Sequence, residues 1–200
     1  MSVEAAAPLP GLADPVRDAQ RAFRAALEAL SRPGRVHAVG APIAGLALGP
    51  ALSHLLLALA DEDTPVWWQQ PDAALQQWLR FHTGARVAAS PREAAFAVVR
   101  DAQRLAALDG FTAGSLASPE GSCTLIVELP SLAGGPVLQA HGPGIRERQA
   151  IAPAGLPERF WAQWQANHAA FPQGVDVFFT CGDQVMGLPR TTRISRLEGV

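Results

Sequence analysis

The sequence predicts an α/β protein of one domain, with three layers in which a mixed sheet is flanked by helices. Short apolar segments rich in β-branched residues alternate along the chain with segments of helical period. Of its 200 residues, 48% are hydrophobic and 17% are charged, which suits one packed domain. No repeat or low-complexity linker divides the chain. We therefore expect residues 14–200 to form the domain and residues 1–13 to be a flexible tail.

The first predicted helix begins after that tail. Asp14 is a suitable N-cap residue, and Pro15 fits the first helical position. The helix should end before the turn at residues 31–34, which contains Pro33 and Gly34. Apolar side chains recur along it at helical spacing, at Val16, Ala19, Phe23, Leu27 and Leu30.

The next elements alternate between helix and strand up to residue 99. Asp72 is a suitable N-cap, and Gly84 a suitable C-terminal residue, for a helix that contains Trp78. Residues 90–93 fit a capping box at the start of a helix, but the apolar run that follows could instead be a strand, which would leave a single helical turn. The predicted order is a strand at 36–39, a helix at 50–60, a strand at 65–68, the helix from Asp72, and strands at 86–88 and 95–99.

The second half of the chain contains the clearest predicted helix, at residues 157–171. Its aromatic side chains fall on one face, which suits a core or an interface. Phe160, Trp161 and Trp164 are the interface candidates. Strands are predicted at 123–129 and 137–140, joined by a hairpin-type turn at Gly134–Gly135, and at 175–181 and 185–188.

The chain contains no lysine, and all of its 16 basic residues other than histidine are arginine. Pyridoxal phosphate enzymes hold their cofactor on a lysine amine, and Walker-type loops need a lysine on the nucleotide phosphates. Cys123 and Cys181 are isolated in sequence, whereas an iron–sulfur cluster needs several cysteine ligands. We therefore expect no cofactor and no metal, and we interpret both cysteines as buried, inert thiols.

The charge balance and the apolar segments restrict the partners. The formal net charge is −2 and there is no basic run, which argues against nucleic-acid binding. No apolar stretch reaches the length of a membrane span, and the N-terminus lacks the pattern of a signal peptide. We expect a soluble, cytoplasmic protein.

Two segments could bind an anion. Arg190, Thr191, Thr192 and Arg193 form a compact set of donors suited to phosphate or phosphonate oxygens, although arginines in structural ion pairs would give the same pattern. The loop from His141 through Gly142 and Gly144 could bring backbone N–H groups close to an anion, and a sharp turn would explain it equally well.

Two further clusters have simpler interpretations. Arg80 and His82 precede Gly84 and are best explained as the end of a helix, with His82 near its dipole. The acidic run at residues 61–63 could hold a metal but is typical of a solvated turn.

In their order and spacing, several segments resemble the PhnH family, the H component of the bacterial carbon–phosphorus lyase core complex. They are DPVRDAQRAFRAALEALSRPG, DEDTPVWW, WLRFHTGA, PEGSCTLIVELPSL, HGPGI, FPQGVDVFFTC and LPRTTR, which extend from Asp14 to Arg193.

The resemblance implies a fold like the large domain of pyridoxal phosphate transferases, without the cofactor. It also implies a homodimer that joins subunits G, I and J in phosphonate catabolism. That machinery displaces adenine from ATP to form a ribose 1-phosphonate 5-triphosphate, and an iron–sulfur cluster on the J component later cleaves the carbon–phosphorus bond. No catalytic residue is carried over from the family to this chain.

Two functions remain open from the sequence. The first is a non-catalytic assembly subunit of that complex. The alternative is a catalytic component that binds phosphate, phosphonate or nucleotide through Arg190, Arg193 and the Gly142–Gly144 loop.

Overall fold

The computed structural model describes residues 9–196. Its helices are α1 (Pro15–Ser31), α2 (Pro50–Leu59), α3 (Ala73–Thr83) and α4 (Phe160–Ala169). Its strands are β1 (Val36–Ala38), β2 (Val66–Trp68), β3 (Phe96–Val99), β4 (Thr124–Glu128), β5 (Leu138–His141), β6 (Gln149–Ile151), β7 (Asp176–Cys181), β8 (Gln184–Leu188) and β9 (Arg193–Arg196).

Capping residues fix the ends of two helices where the sequence predicts them. The Asp14 carboxylate accepts a hydrogen bond of 3.0 Å from the backbone N–H of Arg17 at the start of α1. Asp72 does the same for two N–H groups at the start of α3. Gly84 ends α3 in the left-handed conformation, with a φ of 76°, which glycine adopts without steric cost. His82 therefore lies in the last turn of α3, as expected.

The strands form two sheets. The large sheet has six strands in the order β1-β8-β7-β4-β3-β2, in which β2, β3, β4 and β7 are parallel, while β8 and β1 add antiparallel pairings. This confirms the mixed sheet. A separate antiparallel sheet of three strands has the order β6-β5-β9, and the sequence did not predict it.

Both faces of the large sheet are covered, which gives three layers. Alternate residues of a strand point to opposite faces. On β4, Ile126 packs with residues of α1, α2 and α3, whereas Leu125 and Val127 pack on the other side with α4 and the small sheet. Strands buried on both faces read as continuous apolar runs, which is why β3, β4 and β7 were predictable from the sequence.

Helix α1 packs on the sheet through alanines. Ala22, Ala25, Ala26 and Ala29 are its buried residues. At Gly187 on β8 the helix comes so close that a Cβ atom would collide with the carbonyl group of Ala29. Three of the large apolar side chains recognised in the sequence therefore lie on the outer face, where Val16, Phe23 and Leu27 are 66%, 52% and 59% exposed. Leu30 is instead half-buried and packs against the core.

Three predicted elements differ from the structure. Gly134–Gly135 does not close a hairpin, because β4 and β5 belong to different sheets. Residues 86–88 make only an isolated bridge, Val66 to Val87. The helix expected at residues 157–171 is shorter, Phe160–Ala169, and a turn closed by a 2.9 Å hydrogen bond from the Phe160 N–H to the Pro157 carbonyl precedes it. The single turn expected near residue 91 is present as a 3-10 helix, Pro91–Glu93.

The described part of the predicted tail lies against α3. The indole N–H of Trp78 donates to the Pro10 carbonyl over 2.9 Å, and Nε2 of His82 lies 3.0 Å from the Leu9 carbonyl oxygen. These contacts hold the chain from Leu9 onward, and the other tail residues, 1–8, lie outside the described residues. Within residues 9–196, no helix is both long and apolar enough to cross a membrane.

We expect the substitution Gly187→Ala to lower the free energy of unfolding by about 2 kcal/mol, because the new methyl group must push α1 away from β8. Gly110→Ala is the matched control, since nothing lies within 4 Å of a Cβ atom there, and it should change stability by less than about 1 kcal/mol. Urea unfolding of both variants measures the difference. Equal stabilities would contradict the close packing of α1 on β8.

Candidate functional site

Arg190 is the centre of a hydrogen-bond network inside the protein. Its side chain is 12% exposed, and its Nη2 lies 2.6 Å from one carboxylate oxygen of Asp176 while Nε lies 3.2 Å from the other. Its Nη1 donates to the carbonyls of Pro119 and Pro172 over 3.1 and 3.3 Å, and its Nη2 also donates to the Ser122 hydroxyl. A guanidinium has five N–H donors. All of them have protein acceptors here, so the structure favours a structural role for Arg190.

The segment from Arg190 to Arg193 is fastened to α4. The indole N–H of Trp164 donates to the Thr192 carbonyl over 2.9 Å, and Nδ1 of His168 lies 2.9 Å from the Arg190 carbonyl oxygen. Thr192 is buried, and its hydroxyl has no hydrogen-bond partner among the described residues. Thr191 is half-buried. The two hydroxyls therefore do not face solvent as a pair of anion donors.

The glycine loop meets this segment, as an anion site would require. His141 on β5 pairs with Arg193 on β9. Gly142 has a φ of 141°, and a Cβ atom there would lie 2.8 Å from the Thr191 carbonyl oxygen. The structure thus brings together His141, Gly142, Thr191 and Arg193. Arg193 is exposed and makes no ion pair with a carboxylate of residues 9–196.

A groove adjoins the glycine loop on its other side. Gly144 has a φ of 81° and packs closely against Ser31, the last residue of α1. A Cβ atom at Gly144 would collide with the carbonyl oxygen of Ser31. Between this loop and the turn after α1 lies a cavity of about 290 Å³, lined by Arg35, Arg146 and Arg148 among others. We call it the arginine groove. Sequence analysis missed it, because Arg35 is distant in sequence from the other two.

A second candidate site lies at the carboxyl ends of the parallel strands, where α/β sheets commonly bind ligands. A cavity of about 390 Å³ is lined there by Arg100, after β3, and Glu128, at the end of β4. Arg100 Nε lies 3.6 Å from one Glu128 oxygen, and the other accepts a 3.0 Å hydrogen bond from the Gly49 N–H at the start of α2. The sequence indicated this site only through Arg100 and Glu128, the charged residues that end the apolar runs of β3 and β4.

Glu128 occupies the position that an anion would otherwise take. The first N–H groups of a helix carry partial positive charge and attract anions. At α2, Gly49 leaves no room for a Cβ atom beside the Glu128 carboxylate, and the Ala51 N–H donates to the Gly182 carbonyl over 2.9 Å. The protein therefore neutralises this helix end with its own side chain.

The aromatic residues of α4 lie mainly in the core. Phe160 and Trp164 are fully buried, and the ring centroid of Phe160 is 5.7 Å from that of Phe179 on β7. These two interface candidates are core residues, because their side of α4 faces the large sheet. Trp161 is half-buried, with its ring edge-to-face against Phe160 at 4.9 Å.

The two cysteines differ in environment. Cys123 is fully buried, and desolvation raises the pKa of its thiol to about 12, which agrees with an inert thiol. Cys181 is half-exposed at the end of β7, and its thiol donates to the Pro130 carbonyl over 3.4 Å, so it is not a buried thiol. In the part of the chain described, no three His, Cys, Asp or Glu side chains are grouped as a metal site, and residues 61–63 form an exposed turn.

Comparisons with known proteins agree on one family. The model of the family described as "Bacterial phosphonate metabolism protein (PhnH)" matches residues 10–195. The "Alpha-D-ribose 1-methylphosphonate 5-triphosphate synthase subunit PhnH" of Rhizobium meliloti (strain 1021) is 40% identical over 189 residues, which cover 92% of this chain and 94% of the relative. The "Putative C-P lyase subunit protein HtxG" of Stutzerimonas stutzeri is 36% identical, over 88% and 85% of the two chains.

We expect Arg190→Ala to lower the free energy of unfolding by about 3 kcal/mol, because the mostly buried Asp176 carboxylate loses its cationic partner and keeps only the backbone N–H of residue 190 as a donor from that residue. Arg104→Ala removes an exposed ion pair with Asp101 and should cost less than about 0.5 kcal/mol. Denaturant unfolding compares the two variants. An Arg190→Ala protein of wild-type stability that has lost anion binding would make Arg190 a ligand-binding residue instead.

We expect one thiol in each folded chain to react rapidly with a disulfide reagent at pH 8. Cys123 stays protonated there, because its pKa of about 12 lies far above that pH, and burial also denies access to the reagent. Counting the released chromophore before and after denaturation tests this, with Cys181→Ser as the control that removes the fast phase. Two fast thiols in the folded wild type would contradict the burial of Cys123.

Proposed function

This chain belongs to the PhnH family of bacterial phosphonate metabolism proteins, and we propose that it serves there as an assembly subunit without a catalytic centre of its own. In this proposal it is the H component of the carbon–phosphorus lyase core complex and joins subunits G, I and J. Together with them it would take part in forming α-D-ribose 1-methylphosphonate 5-triphosphate, the product given in the name of the Rhizobium relative.

The outer face of α1 is the observation that carries this proposal. Val16, Phe23 and Leu27 lie one to two turns apart on that face, and each is more than half exposed. Exposed apolar side chains that form a contiguous strip mark a surface that binds another protein. The core does not need this strip, because α1 is already packed on the sheet through its alanines.

A second copy of the chain fits this strip. Phe23 is the middle residue of α1, which runs from Pro15 to Ser31. A two-fold axis beside Phe23 would therefore place two α1 helices antiparallel, with Phe23 against its equivalent and Val16 near Leu30 of the second copy. Two-fold contacts of this self-complementary kind are the commonest in homo-oligomers. We propose that the isolated chain is a homodimer formed in this way.

Several of the described side chains are possible catalytic groups, and these either are buried or bonded within the protein or lack a partner that would orient them. This supports a role in assembly. The raised pKa of Cys123 leaves almost no thiolate at neutral pH. The buried His54 has its Nε2 2.9 Å from the Ala41 carbonyl oxygen, and Glu128 is held by Arg100 and α2. His141 makes no hydrogen bond with a side chain of the described residues that could orient it as a base.

We also propose that the chain keeps a scaffold like that of pyridoxal phosphate transferases without binding their cofactor. The sequence has no lysine to form the Schiff base. Glu128 supports the same conclusion, because its carboxylate stands at the start of α2, where a cofactor phosphate would need a free helix end.

The alternative function, binding of phosphate, phosphonate or nucleotide, now rests on fewer residues. Arg193 and the Gly142–Gly144 loop remain available for it, whereas the donors of Arg190 are used within the protein. If Arg193 binds the anion, Arg193→Ala should abolish binding of phosphonate or nucleotide in calorimetry while assembly is retained.

We expect this chain to copurify with subunits G, I and J on coexpression, and adenine release from ATP with a phosphonate to require the whole assembly. The isolated chain should release no adenine, because it has no catalytic centre in this proposal. Size analysis of the coexpressed proteins and an adenine assay with and without this chain measure both effects. Turnover by the isolated chain would overturn the proposal.

We expect the double substitution Phe23→Glu and Leu27→Glu to convert the isolated dimer to monomers, because it would place carboxylates in the apolar contact. The monomer should keep the wild-type unfolding temperature within a few degrees, since both side chains are exposed. Leu116→Glu, at a residue that is 75% exposed, is the matched control and should leave the dimer intact. Sedimentation velocity measures the mass. A dimer that survives the double substitution would place the interface elsewhere.

A further inference from the structure

The arginine groove concentrates positive charge that the protein does not neutralise. Among the described residues, six arginines pair with carboxylates, including Arg32 at the end of α1. Arg35, Arg146 and Arg148 line one cavity, are exposed, and make neither an ion pair nor a side-chain hydrogen bond within residues 9–196. Like charges gathered without partners repel one another, so this arrangement favours an anionic ligand.

The backbone that carries these arginines is held in place on both sides. Gly144 is pressed against Ser31, so its loop cannot move toward α1. On the opposite side, Gly34 has a φ of 81°, and a Cβ atom there would lie 2.7 Å from both Gln149 and Ile151. Pro33 between them is buried. The two walls of the groove are therefore preorganised, which lowers the entropic cost of binding.

The negative charges that face the groove do not cancel the arginines. Glu147 lines the same cavity and contributes one carboxylate. Helix α1 ends at Ser31, beside Gly144 of the groove, and the C-terminal end of a helix carries about half a negative charge. Three guanidinium groups therefore leave a net positive charge of about 1.5.

We propose that the arginine groove binds a tetrahedral phosphorus oxyanion, which is a phosphate or phosphonate group, either free or at the end of a polyphosphate chain. Guanidinium groups match such oxygens with paired, charge-assisted hydrogen bonds. The cavity of about 290 Å³ lies at the lower limit of sites that enclose whole organic ligands. It therefore suits the charged group itself, with any remainder of the ligand outside. This site goes beyond the assembly role and does not depend on it.

Titration calorimetry of the full-length protein with inorganic phosphate, methylphosphonate and tripolyphosphate, each at the same low ionic strength, tests the proposal. We expect Arg35→Ala, Arg146→Ala and Arg148→Ala each to weaken binding of the same anion by about three- to tenfold, because each removes one partly solvated charge contact. Arg80→Ala is the matched control: Arg80 is exposed, pairs with none of the described carboxylates, and lies on α3, away from the residues that line the groove. It should bind as the wild type does.

Two further variants separate a built site from general attraction. Glu147→Gln should tighten binding by about threefold, because it removes the carboxylate that lines the groove. Arg146→Lys keeps the charge but loses the two-pronged geometry, and it should still bind more weakly than the wild type. Unfolding temperatures within a few degrees of the wild type establish that each variant is folded.

The outcomes divide clearly. Binding of phosphate and methylphosphonate would identify a site for a single phosphorus group. Binding of tripolyphosphate alone would identify a site for the end of a polyphosphate chain. Either result supports the proposal. No binding of any of the three anions at millimolar concentration would overturn it. Equal losses in Arg80→Ala and the groove variants, or none in either, would overturn it as well. Sedimentation of the same variants reports on assembly separately, so failure of one proposal does not imply failure of the other.

Discussion

The ion pair between Arg190 and Asp176 joins more of the chain than any other polar contact described above. It links the start of β7, the turn before β4 through Pro119 and Ser122, and the connection after α4 through Pro172. Arg190 also lies between β8 in the large sheet and β9 in the small one. The position of the small sheet, and with it the pairing of His141 with Arg193, therefore depends on this pair.

The absence of lysine acquires a structural meaning in this fold. Arginine is always charged and binds carboxylates and carbonyls in a fixed geometry. Arg190 uses that geometry inside the protein, and Arg100 uses its charge beside Glu128 at the start of α2. Arginine side chains cannot form a Schiff base, and in this chain they hold loops in place and give the arginine groove its positive charge.

The sequence was most informative where local chemistry determines structure, as at the capped ends of α1 and α3 and in the apolar runs of β3, β4 and β7. It failed where tertiary contacts decide. Strands β6 and β9 contain polar residues such as Gln149 and Arg193, which hide their pairing with β5. The outward face of α1 follows from the contact at Gly187, and the arginine groove from the meeting of two distant segments. An alanine stripe beside a stripe of larger apolar residues on α1 was the unused indication.

The contact of Gly144 with Ser31 connects the arginine groove to α1, the helix whose outer face carries the exposed apolar strip. The last turn of α1 contacts Gly144, which lines the groove, while the same helix carries Phe23 and Leu27. If association through α1 shifts that last turn, the affinity of the groove for an anion must change. Thermodynamic linkage then requires the anion to change the strength of association by the same factor. In that case anion binding and subunit association would each affect the other through the contact of Gly144 with α1.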